Sequence, residues 1–128
     1  MKRKYLLIAM YRAMDYIFDE MKQQPEELVL FLSDLNPYIW KERITADPAL
    51  QKEFDNSMDK QNIGAEVDEF TAYSAVKNFL AEQYPIFVEL DKNNSSYKKS
   101  SSFVDLFEKI SLEEWKKFCE IVTAEEEN

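Results

Sequence analysis

Any chemistry in this chain has to be built from carboxylates. Its 128 residues include no histidine and one cysteine, Cys119. That removes the commonest general base, the usual activator of a serine or cysteine nucleophile, and the commonest zinc ligand. Neither glycine-rich phosphate-binding motif, the P-loop or the dinucleotide type, is present. Serine and tyrosine are plentiful, but none has a visible activator. Two acid pairs have helical spacing: Asp15 with Asp19, four apart, and Glu66 with Glu69, three apart. On a helix, each pair would project two carboxylates from one face, the oxygen donors that Mg²⁺ or Mn²⁺ takes.

The run Glu66-Val-Asp-Glu69 is similar to the first carboxylate pair of helical nucleotide pyrophosphohydrolases, which carry an ExxE pair and then an ExxD pair. No ExxD follows here, since the next acids are Glu82, Glu89 and Asp91. In a chain with 25 acids, one such pair arises by chance, and a solvated helix face accounts for it. The expectation is a protein that is not an enzyme and needs no cofactor. The alternatives are a Mg²⁺ or Mn²⁺ hydrolase of the nucleotide-pyrophosphohydrolase type built on Asp15, Asp19, Glu66 and Glu69, and a structural or oligomeric protein with no separate ligand.

Charge narrows the partner. There are 16 bases against 25 acids, a net charge of −9, and most of the excess lies after residue 60. A field of that sign repels phosphate backbones, which argues against nucleic acid. It favours encounter with a basic protein, and it also simply keeps a chain soluble. The start, MKRKYLLIAMYR, imitates a signal peptide, but Arg12 ends its apolar run and helical periodicity continues beyond it. With no window long enough to span a membrane and a lone Cys119 in an apolar helical setting, the sequence predicts a cytoplasmic protein with a buried, inert thiol.

The elements that would position these groups are helices. The chain has one glycine, too few for a fold rich in tight hairpins. The spacing of Leu6, Met10, Ala13, Ile17 and Met21 predicts a first helix over 4–23 with a wide apolar face, central to the bundle. Pro25 opens a second helix that stops at Asn36, before a proline. Asp47-Pro48 starts a third, buried through Leu50, Phe54 and Met58. A fourth is expected from Glu66 to Gln83, with Val67, Phe70, Tyr73, Val76, Phe79 and Leu80 inside. Pro85 ends or kinks it, and 86–91 are open between helix and strand, with helix preferred. Lys92–Ser102 is polar and lysine-bearing and reads as a mobile loop. Ser102 caps a short helix, and Ser111-Leu-Glu-Glu114 is a capping box for the last one. Residues 124–128 read as a frayed acidic tail. The fold class is therefore all-α: a single-domain bundle, over 1–128, of about five to seven helices.

One connector breaks the pattern. LNPYIWKERITADP, residues 35–48, is bracketed by Asn36-Pro37 and Asp47-Pro48 and holds Tyr38, Ile39 and Trp40. Either these aromatics plug the bundle, or they form a semi-exposed patch flanked by Lys41, Glu42 and Arg43. Tyrosine, tryptophan and arginine dominate binding hot spots. Tyr38 and Trp40 are therefore candidate anchors for a partner, together with Glu66, Asp68 and Glu69 of the acidic half.

The segments FLSDLNPYIWKERITADPALQKEF (31–54) and SLEEWKKF (111–118) resemble a group of small helical bacterial proteins, some of them like immunity proteins of polymorphic toxin and contact-dependent growth inhibition systems. The resemblance covers about a quarter of the chain and carries no catalytic signature. It implies a cytoplasmic antitoxin that occludes one cognate toxin, and a basic toxin domain would suit the acidic charge.

Overall fold

The computed structural model describes residues 1–91 and 102–128. A 3₁₀ turn, Arg3–Tyr5, leads into six helices: α1 (Leu6–Glu20), α2 (Glu26–Leu35), α3 (Pro48–Lys60), α4 (Glu69–Asp91), α5 (Phe103–Phe107) and α6 (Leu112–Glu126). Among the described residues there is no strand, and the fold is all-α. The loop expected at Lys92–Ser102 lies outside the described residues except for Ser102.

The helix starts follow local chemistry. The Asp47 carboxylate accepts from Ala49 N at the head of α3, with Pro48 at the first helical position. Ser102 accepts from Asp105 N to open α5. Ser111 and Glu114 complete a reciprocal capping box on α6, each bond 3.1 Å. Pro25 stands one position earlier than expected, at the N-cap of α2 with extended backbone.

α1 is central, as its broad apolar face predicts. Leu6 to Met10, Ala13, Met14 and Ile17 are all buried, and α1 touches α2, α4, α5 and α6. Aromatic rings tie the remaining helices together. Phe31 of α2 stacks on Phe103 of α5 at 4.6 Å and meets Phe87 of α4 edge-on at 5.2 Å. Trp115 of α6 is fully buried, packs against Phe107 at 5.4 Å, and donates from Nε1 to the Glu69 carbonyl at 2.9 Å. Ring pairs of this geometry add to the burial of their area.

α4 differs from expectation at both ends. It runs through Pro85 to Asp91, so 86–91 are helical, the state preferred from the sequence. Proline removes one N–H bond to the carbonyl four residues back. Here both Pro85 and Ala81 are exposed, so water can solvate the orphaned carbonyl. At its start, α4 begins at Glu69 and not at Glu66, because the N-terminal strip claims the preceding backbone. Arg3 N donates to Ala65 O at 2.8 Å and Val67 N to Met1 O at 2.9 Å, giving an isolated antiparallel bridge between Lys2 and Glu66. Phe70, expected inside, is instead 67 % exposed. The segment expected to fray is ordered: α6 continues through Glu126.

Candidate functional site

The connector between α2 and α3 is anchored at its ends and exposed in its middle. The Asn36 side-chain oxygen accepts from Tyr38 N at 3.0 Å, a local Asx turn that replaces helical bonding. Pro37 and Thr45 are buried. Thr45 N donates to the Gln51 side chain of α3 at 3.2 Å, its hydroxyl donates to the Asp47 carbonyl, and Asp47 N donates to Asp34 O of α2. Proline and threonine, not the aromatics, therefore plug the connector into the bundle. Tyr38, Ile39 and Trp40 are 39 %, 59 % and 45 % exposed, which decides between the two sequence readings in favour of a semi-exposed patch.

That patch is held in one shape. Trp40 Nε1 donates to the Ala46 carbonyl at 3.1 Å. Arg43 N donates to Trp40 O at 3.2 Å, and Arg43 adopts a left-handed φ of 60°, uncommon for a side chain without a compensating contact. The compensation is double: its guanidinium lies over the Tyr38 ring at 5.1 Å and bonds the Glu126 carboxylate at 3.2 Å. On the other side, Arg12 of α1 donates to the Tyr38 hydroxyl at 3.2 Å and to Glu125 at 2.8 Å. Both bonds hold the Arg12 guanidinium above its usual pKa, that to Tyr38 first, so its charge is permanent. Tyr38 is thus gripped by two arginines, each bonded to a carboxylate in the last turn of α6.

A cleft of about 690 Å³ opens beside the connector. Its floor includes Tyr5, Leu7, Ile8 and Phe54, and Arg43 and Ile44 form one wall. Glu66 lies on it too, so the exposed acid predicted from sequence borders the same cleft as the connector. The other two acids stand at the head of α4. Asp68 accepts from both the backbone N and the hydroxyl of Thr71 at 2.8 Å, and these bonds hold its carboxyl below the usual range. Glu69 is half-buried in the first turn of α4.

The alternative metal site is corrected by the fold. Glu66 is off the helix that would have aligned it with Glu69. Among the described residues, no group of three or more His, Cys, Asp or Glu side chains gathers to hold a metal ion, so Asp15, Asp19, Glu66 and Glu69 do not converge. Cys119 is buried, and burial, assisted by the charge of Glu69, pushes its thiol up to about 12. No helix among the described residues is long and apolar enough to cross a membrane.

Sequence reasoning did not find Arg12, Glu125 and Glu126 as parts of the site. No local signal could have shown them, because their partners lie up to 113 residues away. Comparison with protein-family models, with curated proteins and with solved structures finds no match to this chain.

Proposed function

We propose that this chain is a non-catalytic protein-binding module, and that it acts as an immunity protein, neutralising a basic toxin domain by covering it. The observation that carries the binding reading is the semi-exposed Tyr38-Ile39-Trp40 patch on a connector pinned at both ends. Contiguous exposed apolar side chains rimmed by polar residues mark interaction surfaces. A patch already held rigid loses little entropy when a partner lands on it. Tyrosine, tryptophan and arginine side by side have hot-spot composition. The net charge of −9 would steer a basic partner toward the molecule. The toxin assignment itself rests on the resemblance of residues 31–54 and 111–118.

The test is co-purification with the product of the gene immediately upstream, one of the two proteins carrying an affinity tag. The expected result is a one-to-one complex that survives moderate salt and is lost when Tyr38 and Trp40 are both replaced by alanine. Absence of a complex, or a complex indifferent to that double substitution, overturns the reading.

A further inference from the structure

The connector patch continues onto α1. In a helix, residues three and four apart share a face, and the outward face of α1 carries Tyr11, Arg12, Asp15, Tyr16 and Asp19, opposite the buried Met10, Met14 and Ile17. The two tyrosines flank the row. Tyr11 meets the Tyr38 ring edge-on at 6.0 Å, which joins this face to the connector. Tyr16 is half exposed and meets Phe118 of α6 edge-on at 6.0 Å. Beside Tyr16 opens a depression of about 200 Å³ floored by Ile17, Met21 and Ile110, with Glu20 and Lys109 at its edge.

Between these aromatic rails run Asp15 and Asp19, like charges one turn apart, which repel each other. Among the described residues, Glu125 closes on Arg12 at the edge of this face, and other acids close on bases elsewhere: Glu126 with Arg43, Glu127 with Lys2, Asp59 with Arg3, Glu82 with Lys60. Asp15 and Asp19 form no ion pair among the described residues, because the nearby Arg12 guanidinium is bonded to Tyr38 and Glu125. Burial first, and Asp19 second, raise the Asp15 carboxyl above its ordinary value, and the charge of Arg12 offsets only part of that rise. A guanidinium laid along this row would neutralise the repulsion and stack on tyrosine, as Arg43 already stacks on Tyr38. The depression beside Tyr16 would take a neighbouring apolar side chain.

We propose that the outer face of α1, between the Tyr11 and Tyr16 rails, docks an arginine-bearing segment of a partner protein. The partner as the source of the arginine rests on the protein-binding reading above. The face itself is tested without that partner.

A hexa-arginine peptide is titrated into isotope-labelled full-length protein and followed by backbone amide NMR. The expected result is saturable shifts centred on 11–20, with binding about tenfold weaker when Asp15 and Asp19 are both changed to asparagine. The control Glu113→Gln/Glu120→Gln removes the same charge from exposed positions of α6 and should leave binding unchanged. Shifts centred elsewhere, or equal weakening by both double variants, would mean attraction to the overall negative field and would overturn the proposal. Trp40→Ala should leave the peptide titration intact. Failure of the unsubstituted chain to co-purify with the upstream gene product, with peptide binding retained, then counts against the partner reading alone.

Discussion

Arg12 Nη1 of α1 lies 2.8 Å from Glu125 Oε2 in the last turn of α6, 113 residues later in the chain, and the same nitrogen donates to the Tyr38 hydroxyl. One side chain thus ties the first helix, the last helix and the connector together. Single surface ion pairs contribute little, but this one positions an aromatic anchor. Arg12→Ala should cost at most about 1 kcal/mol of global stability. Its larger effect should be faster amide exchange in 38–43, measured by hydrogen–deuterium exchange. Exchange unchanged in that segment would mean the connector is held by its own ends alone.

Trp40→Ala separates binding from folding. The side chain is 45 % exposed and its main anchor is one bond to Ala46 O, so stability should fall by only about 0.5–1.5 kcal/mol. Capture of the upstream gene product should be lost. Thermal melting beside co-purification reads both. A variant that unfolds would show the indole to be core.

Trp115 is the opposite case. It is fully buried and its indole N–H satisfies the Glu69 carbonyl. Trp115→Phe leaves that carbonyl short of a donor and a gap behind the ring. Urea denaturation should show a loss of about 1–3 kcal/mol, and Trp115→Ala about 3–5 kcal/mol.

The Cys119 thiol gives a pH prediction. The unfolded chain ionises it near 9.0, whereas the folded protein holds the proton to about 12. The folded state therefore binds more protons in that interval, and its stability falls as pH rises above about 9. Cys119→Ala should flatten this alkaline decline in urea midpoints taken from neutral to alkaline pH. A thiol reagent should leave native Cys119 untouched at neutral pH and label it after denaturation.

At the head of α6, Ser111→Ala removes half of the capping box and should cost about 1 kcal/mol. Glu114 adds an acid limb. Its bonds to the backbone and side chain of Ser111 hold its carboxyl below the usual glutamate value. That stabilisation is present above the unfolded glutamate pKa and is lost as pH falls through the lowered folded one. Circular-dichroism melts between neutral and acid pH should show a shallower acid loss for Glu114→Gln than for the parent chain.

What the sequence determined by itself is everything whose physics is local. The caps at Asp47, Ser102 and Ser111 were legible because a side chain there bonds a backbone N–H two or three residues away. The helical class and the central place of α1 followed from apolar spacing, since a wide apolar stripe needs several neighbouring helices to cover it. The buried Cys119 followed from its neighbours.

Only the tertiary structure decided the rest, and for one reason: the deciding partners are far off in sequence. Glu66 left its helix because Met1 and Arg3 pair with the backbone at 65–67. Pro85 was tolerated because Ala81 and Pro85 face water. Glu125 and Glu126 became clamps because Arg12 and Arg43 arrive beside them. The exposure of Tyr38 and Trp40 depended on which connector residues filled the bundle first, and the smaller Pro37 and Thr45 took that place.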